Sequence, residues 1–262
     1  MPYAYAARDL GDGLRRVQLW GAMAWFDIRQ RYSRSLIGPF WATLSLAAFV
    51  GGLGVVYGTL LKTPLVEFLP YLTVGMLVWT FISTMIIEGC SAFVSAEVAV
   101  KQMPVPLSIH VYRVVWRALI VFGHNAVVAA LVLVVANPYG LLTGIVPALV
   151  GLAVLAVNGA ATAITLGTLG ARFRDLTPLM LNMTAMLFFV SPILWQAETL
   201  GERAWIAYAN PIFHLIQIVR APLLGAAFPA ASWAFVAAFS VLNLLAAFLI
   251  FARFRWRIPY WL

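Results

Sequence analysis

The sequence has few charged residues: they make up 10% of its 262 residues, whereas 63% are apolar. A soluble domain carries about a quarter charged residues, and so apolar a chain could not cover its surface with polar groups in water. Intrinsic disorder is excluded too, because disordered chains are poor in large apolar side chains. The composition therefore predicts a protein whose main solvent is lipid.

Cysteine and metal-ligand patterns are scarce. The single cysteine, Cys90, excludes an internal disulfide, and the three histidines lie in different segments without metal-type spacing. The N-terminal stretch lacks a cleavable-signal pattern, so the first long apolar segment is expected to direct insertion. The net charge of +8 does not indicate nucleic acid, because the basic residues stand at the ends of apolar runs. No cofactor, metal site or nucleic-acid partner is predicted.

Signatures of catalysis and energy conversion are missing as well. The sequence contains no P-loop, G-x-S-x-G or H-E-x-x-H motif, so no catalytic residue is predicted. Acidic residues deep in the apolar runs, which ion-coupled transporters need, are nearly absent. Glu88 is the exception, and an interfacial or inter-helix hydrogen bond is its simpler interpretation; Asn158 is expected to bridge helices. Energy for transport is therefore expected from a partner.

Long uncharged apolar runs dominate what is present. A charge at the centre of a spanning helix costs about 2.5–3.5 kcal/mol, so charged residues bound the spans. A run of about 20 residues crosses once, and the run from Arg117 to Arg172 crosses twice, with a turn at residues 137–140. The sequence thus predicts an all-α integral membrane protein with one transmembrane domain over 1–262. Its six transmembrane helices are expected at 36–61, 69–91, 113–136, 141–170, 176–197 and 232–252.

The basic residues divide unequally between the two sides of this topology. Of the 17 Lys and Arg residues, only Lys62, Arg203 and Arg220 fall on the side opposite the termini. The positive-inside rule therefore predicts a multi-pass protein with both termini in the cytoplasm.

Two apolar segments do not read as spans. Residues 11–32 are predicted to form an N-terminal amphipathic helix in the membrane interface, with basic side chains near lipid phosphates. The residues assigned to this role are Arg15, Arg16, Arg29, Arg31 and Arg34. In residues 199–228, between spans five and six, the uncharged run from Arg203 to Arg220 is too short to cross and is interrupted by Asn210 and Pro211, which predicts a short re-entrant helix pair. An ordinary surface loop is the alternative for this segment.

The two cytoplasmic connections are where a partner is expected to dock. In residues 92–106, Glu97 and Lys101 stand at i and i+4, which supports a short helix, and Pro104 ends it. Such a helix can seat in a partner and transmit force, whereas a plain connecting loop is the alternative. The tight charge cluster of Arg172, Arg174 and Asp175 can pair internally or with a partner's surface.

Aromatic residues make up 14% of the chain. Those near the predicted span ends are explained by a lipid-facing belt. Those inside the spans either pack between helices or present ring faces on which sugars can stack.

Four blocks of sequence resemble the permease subunits of ABC-type polysaccharide exporters, which export O-antigen, capsule and teichoic acid chains. The first, 27–41, is a basic, tyrosine-containing run that ends in Leu-x-Gly-Pro-x-Trp at 36–41. The others are 106–125, the Arg-Phe-Arg-Asp-Leu of 172–176, and 210–223, which begins Asn-Pro-Ile-Phe-His. Together the blocks follow the family's order over nearly the whole chain.

The resemblance implies a homodimer in the cell inner (plasma) membrane, bound to two copies of a separate ABC ATPase. Residues 92–106 would be the coupling helix, 11–32 the interfacial helix and 199–228 the outer gating helices. The cargo would be a polysaccharide linked to polyprenyl diphosphate. Two other functions stay open: an ABC permease for a drug or small lipid, and a membrane enzyme acting on lipid-linked sugars.

The resemblance also assigns roles to individual residues. ATPase coupling is expected at Glu97, Lys101, Pro104, Arg172, Arg174 and Asp175. The substrate channel is expected at Phe40, Tyr57, Trp79, Phe81, Phe188 and Phe189. The outer gate is expected at Asn210, Pro211, His214 and Arg220.

Overall fold

The computed structural model describes residues 2–33, 35, 37–38, 40–60 and 64–262, and every regular element in these ranges is helical. The first four helices are α1 (Pro2–Arg15), α2 (Val17–Arg31), α3 (Phe40–Leu60) and α4 (Leu65–Cys90). Next come α5 (Glu97–Gln102), α6 (Ser108–Ala136), α7 (Pro138–Arg172) and α8 (Leu176–Val190). The last are α9 (Trp205–Tyr208), α10 (Pro211–Leu223), α11 (Ala230–Phe254) and α12 (Ile258–Trp261). Short 3₁₀ helices lie at Val94–Ala96, Ala197–Arg203 and Arg255–Arg257.

Among the described helices, five are long and apolar enough to cross a membrane: α3, α4, α6, α7 and the continuous stretch Ala230–Trp261. The predicted all-α integral membrane class is confirmed. Helix α8 has 15 residues, which reach about 22 Å and fall short of a hydrocarbon core of about 30 Å. The chain leaves the helix at Ser191 and continues in turns to Gln196. The sixth span, expected over 176–197, therefore stays a prediction.

Helix α4 is the centre of the bundle. It packs against α3, α6, α7, α8 and α10. Apart from Thr73, its buried side chains are apolar around the whole circumference, from Phe68 and Leu72 to Phe81 and Met85. A helix that is apolar on all sides is one that neighbours surround, and this explains why α4 takes the central position.

A seam of small residues on α7 lets two helices approach closely. A Cβ atom added at Gly144 would overlap the Pro222 carbonyl of α10, and one added at Gly170 would overlap the Cys90 carbonyl of α4. Small residues at helix interfaces allow this close packing inside a membrane. The first half of α7 thus packs against α10, and the second half packs against the end of α4.

Polar contacts join α7 to α11 within the apolar part of the bundle. Asn158 donates to the Ser240 hydroxyl at 2.7 Å, and Asn243 donates to the Asn158 carbonyl at 3.0 Å. Asn158 therefore bridges two helices, as the sequence predicted. Such bonds are worth about 0.6–2 kcal/mol each in membrane proteins.

The predicted segments at the two ends of the bundle differ in detail from the observed helices. The helix expected over 11–32 is interrupted at Arg16, whose ψ of 48° is not helical, so that α1 and α2 are separate. Between α8 and α11, the pair expected over 199–228 comprises the short α9 and the 13-residue α10. Arg34, Lys62 and the predicted limits of the first span, Leu36 and Leu61, lie outside the described residues.

Candidate functional site

Helix α5 occupies the middle of the connection between α4 and α6. Lys101 Nζ donates to Glu97 Oε1 at 2.7 Å, so the predicted i,i+4 pair is formed. The hydrogen bond and positive charge of Lys101 hold the pKa of the exposed Glu97 carboxyl below its ordinary value. Pro104 follows in extended, exposed chain. The result is a short, charged, projecting helix, a shape that suits docking to a partner.

Helix α6 starts at a carboxylate supplied by α1. Asp9 accepts hydrogen bonds from the backbone N–H groups of Leu107 and Ser108 at 3.1 and 3.0 Å, and the Ser108 hydroxyl donates to the Asp9 carbonyl at 2.8 Å. A carboxylate at a helix N-terminus satisfies otherwise unpaired donors and the helix dipole. The downstream end of the connection that carries α5 is therefore fixed by α1, a role the sequence did not reveal.

The loop between α7 and α8 packs against α12. The Arg172 guanidinium lies 5.2 Å from the Phe173 ring centroid and 5.3 Å from that of Trp261. Arg174 donates to the Leu262 carbonyl at 3.5 Å. Asp175 precedes α8 without a side-chain capping bond. Of the charged residues predicted for ATPase coupling, the three in this loop are therefore all exposed, and Arg172 alone lies against aromatic rings.

A network of five charged side chains joins α2 to α4 and α6. Arg113 and Arg117 of α6 both bind the Asp27 carboxylate of α2. Arg117 Nη2 also donates to Glu88 Oε2 of α4 at 2.6 Å, and Arg31 of α2 donates to Glu88 Oε1 at 2.9 Å. The predicted inter-helix role of Glu88 is therefore realised as ion pairs, which are stronger than neutral hydrogen bonds.

The electrostatics of this network favour its ionised form. Burial acts to raise the pKa of the Asp27 carboxyl, but the hydrogen bonds and charges of Arg113 and Arg117 outweigh it and hold the pKa below its ordinary value of 3.8. The group therefore stays charged at neutral pH. The network was not predicted from the sequence, although Arg113 and Arg117 stand one helical turn apart and share a face.

The other residues predicted to lie near lipid head groups are exposed. Arg15 ends α1, and Arg16 forms the break before α2. Arg29 lines an open concavity of about 750 Å³ beside Trp25 and Tyr32. Of this set, Arg31 alone among the described members takes part in an ion pair, and Arg34 lies outside the described residues.

At the opposite end of the bundle, Asn210 and Pro211 start α10 rather than merely breaking a helix. The Asn210 side chain accepts from the Ile212 N–H at 2.9 Å and donates to Ser191 Oγ at 2.9 Å, while Pro211 takes the first helical position. Asparagine is a favoured N-cap and proline lacks the N–H that this position leaves unpaired. The Asn-Pro pair therefore both begins α10 and anchors it to the end of α8.

Two further residues predicted for the outer gate are buried and hydrogen-bonded. The two ring nitrogens of His214 lie 2.9 Å from Ser232 Oγ and 2.8 Å from the Tyr208 carbonyl, and its ring stacks on Phe235. Arg220 is 2% exposed, donates to the Pro192 carbonyl at 2.9 Å and lies 3.8 Å from the Tyr71 ring centroid. Its Nε and Nη2 donate to Gln217 Oε1. These contacts tie α10 to the chain after α8.

The six aromatic residues predicted for the channel do not form one lining. Trp79, Phe188 and Phe189 share a groove of about 360 Å³ between α4 and α8, where Phe49 of α3 joins them. Phe81 packs on Phe122 at 6.1 Å, and Phe40 on His124 at 5.6 Å. Tyr57 packs against the core from α3. Half of the predicted set is therefore brought together, and half is dispersed in packing contacts.

The acidic residues Glu88, Asp175 and Glu198, which a membrane enzyme could use, are not brought together. Glu88 lies in the last turn of α4, within the ion network, and Asp175 precedes α8. Glu198 lies in the 3₁₀ helix Ala197–Arg203, near Tyr71 at the other end of α4. The 17 positions from Tyr71 to Glu88 correspond to about 25 Å of helix, too far for a shared reaction centre.

Most of the chain matches a known protein family. No curated protein matches the chain. The family model described as ABC-2 type transporter, a membrane component, matches residues 18–224, which run from the second residue of α2 to just past the end of α10. This range holds α5, the ion network, the aromatic groove and the N-cap of α10. The chain is a multi-pass membrane protein and belongs to the ABC-2 type transporter family, whose membrane subunits work with an ABC ATPase.

Proposed function

We propose that this chain is the permease subunit of an ATP-driven exporter that moves lipid-linked polysaccharide from the cytoplasm across the inner membrane. Membership of the ABC-2 type transporter family supports the transport function and the ATPase partner. The observation that favours a glycan cargo is the groove of Trp79, Phe188 and Phe189. Aromatic faces exclude polar solvent and offer flat apolar surfaces to the C–H faces of sugar rings.

The exposed face of α8 supports a homodimer whose two copies enclose the path. Within α8 only Thr184 is buried, whereas Phe189 is 66% exposed and the polar Asn182 is exposed as well. An amide facing lipid is costly, so Asn182 favours a protein or water-filled surface there. Phe189 and Asn182 would then face the second copy across a channel.

The charged end of the bundle supports the proposed direction and partner. Helix α5 and the loop 172–175 project at the end where basic residues concentrate, which the positive-inside rule assigns to the cytoplasm. Two copies of an ATPase would bind these segments, and α5 would act as the coupling helix. Helix α10, at the other end, would form part of the outer gate.

The experiment is reconstitution of the purified chain with its ATPase in lipid vesicles. A polyprenyl-diphosphate-linked O-antigen-type glycan is supplied on the ATPase side, and its ATP-dependent appearance in the lumen is followed with a lectin. A fluorescent short-chain phospholipid and a cationic dye are tested in parallel. Glycan translocation is expected; transport of the phospholipid or dye without the glycan would instead identify a permease for another cargo.

Stoichiometry is checked on the same preparation. Mass measurement of the detergent-solubilised complex is expected to give two copies of this chain and two of the ATPase. A complex with one copy of this chain would contradict the dimer.

A further inference from the structure

Helix α2 is attached to the bundle along one narrow face. Among the described elements it packs extensively only on α6, where Trp20 meets Trp116 with ring centroids 5.7 Å apart. Ala24 and Ile28 continue this buried face, whereas Trp25 beside it and Phe26 on the opposite side are more than half exposed. Apolar contact of this kind resists separation but permits sliding, because it is non-directional.

The ion network fixes the position of α2 along α4 and α6, which non-directional apolar packing does not do. Arg117 reaches Asp27 on α2 with one nitrogen and Glu88 on α4 with two others, at 3.1 and 2.6 Å. Arg31 provides a second route from α2 to Glu88. The planar fork of an arginine fixes both distance and orientation of a carboxylate. Three helices are thereby held in one register.

The position of the network along the chain relates it to α5. Glu88 lies in the last turn of α4, two residues before that helix ends at Cys90. Arg113 and Arg117 lie in the first turns of α6, which starts at Ser108. The network therefore joins the end of α4 to the start of α6. Helix α5 lies in the connection between these two ends.

The network is also poorly solvated, so it is not a set of loose surface pairs. The side chains of Asp27 and Arg117 are each 14% exposed, and those of Glu88 and Arg113 are 22% and 24% exposed. Only Arg31, at 50%, is widely open to solvent. Reduced solvation strengthens such pairs relative to exposed ones.

We propose that Asp27, Glu88 and Arg117 are positioning residues that make α2 move as one body with the ends of α4 and α6 during the transport cycle. The proposal rests on the proposed function only in that a partner ATPase displaces α5. A displacement of α5 then reaches α2 without sliding between α2 and the spans. Helix α2 is in this sense an extension of the coupling segment.

Cross-linking tests whether α2 and α4 stay together. In a Cys90→Ala parent, Arg31→Cys and Glu88→Cys remove the pairs of Glu88 and place one thiol on each helix. Bifunctional thiol reagents of graded spacer length then replace the ionic link by a covalent one in the full complex with its ATPase. ATP hydrolysis is expected to continue unchanged after linking. Loss of hydrolysis on linking would show that α2 moves against α4 and would overturn the proposal.

Transport per ATP is the second readout of the same variant. Before linking it is expected to fall about fivefold, which corresponds to about 1 kcal/mol of docking free energy for a partly exposed pair. Linking is expected to restore it, which a merely structural loss would not allow. An unlinked variant with parental coupling, or a linked one without recovery, would overturn the proposal.

Two controls keep the outcome interpretable. Arg8→Gln removes an exposed arginine of α1 that lies outside the network and is expected to leave coupling unchanged. If the double cysteine variant does not assemble, Asp27→Asn is compared with Asp27→Glu. Coupling is expected to be lost in Asp27→Asn and kept in Asp27→Glu. Equal coupling in the two variants would overturn the proposal. Absence of glycan transport by the unmodified chain would refute the proposed cargo alone, because the effect of linking on ATP hydrolysis does not depend on cargo.

Discussion

The Asp9 carboxylate accepts a hydrogen bond from Arg255 Nε at 2.8 Å, although the two residues are 246 positions apart. The Asp9 side chain is fully buried, and it also holds the first N–H groups of α6. One carboxylate thus interacts with a guanidinium and with the positive end of a helix at the same time. The start of α6 and the end of α11 are therefore joined through α1, which is not among the helices long and apolar enough to cross a membrane.

Asp9→Asn is expected to lower the thermal midpoint of the purified protein in detergent. The neutral amide loses the ion pair with Arg255 and turns donors toward the N–H groups of α6, at a cost of about 1–3 kcal/mol. Asp12→Asn is the matched control on the same helix, and its midpoint is expected to stay that of the parent. Equal midpoints for both variants would show that the buried carboxylate does not hold α6.

Gly144→Ala is expected to weaken the attachment of α10. The added Cβ would overlap the Pro222 carbonyl of α10, a backbone atom that cannot rotate away. Overpacking of this kind costs about 1–3 kcal/mol. Gly123→Ala on α6 is the matched control, because a Cβ there meets no atom within 4 Å and the change favours the helix. The two thermal midpoints should therefore move in opposite directions. A shift of the same sign would show that Gly144 is not needed for the close contact between α7 and α10.

Arg220→Lys is expected to destabilise the junction of α10 with the chain after α8. Lysine keeps the charge but loses the flat contact with Tyr71 and the fork that reaches Pro192 and Gln217 together. A loss of about 1–3 kcal/mol follows for partners left unpaired in a buried place. Arg203→Lys, an exposed residue of the same region, serves as control. Proteolysis after α8, followed by mass spectrometry, should quicken in the first variant alone.

Phe189→Ala is expected to slow transport of long glycan chains without loss of assembly. The side chain is 66% exposed in the described chain, so its removal leaves no cavity in the core. Phe228→Ala removes an equally exposed ring that lies outside the groove and stacks on Trp233. Transport by the first variant should fall relative to the second in reconstituted vesicles. Equal transport rates in the two variants would show that Phe189 packs against protein or faces lipid and does not line the path.

Replacing Glu97 and Lys101 together by proline is expected to abolish transport and transport-dependent ATP hydrolysis while insertion continues. Two prolines remove the helical hydrogen bonds of α5 and bend its backbone. Glu97→Gln is the control, because it removes the exposed ion pair and keeps the helix. Membrane fractionation and ATP turnover of the complex provide the measurements. Normal export by the proline variant would contradict a coupling role for α5.

The bundle was largely predictable because its signals are local. Charged residues such as Arg117 and Arg172 bound apolar runs, and the cost of burying a charge in lipid applies wherever the run folds. Asn210 and Pro211 marked an element boundary correctly, since capping depends on neighbouring residues only. The length of α8 was less predictable, because where a helix gives way to turns near Ser191 depends on partners in other helices.

The ion network and the Asp9 cap were not predictable for the opposite reason. Asp27 lies 86 positions from Arg113, and Asp9 lies 98 positions from Leu107, so no local pattern marks either contact. Both acids sit in a stretch rich in arginine, which favours a simple interfacial interpretation. The same limit applied to the aromatic residues: Trp79 and Phe188 meet in a groove because α4 and α8 are adjacent, which spacing within either helix cannot show.

The contact between Asp9 and Arg255 also sets an order of events during synthesis. At about 5–20 residues per second, the 246 positions between them take the ribosome about 12–50 seconds to add. Throughout that interval Arg255 is not yet part of the chain, so the Asp9 carboxylate lacks this partner and the contact cannot form. Closure of this contact is therefore a late step of biogenesis, and its completion reports that the final helix has reached its place.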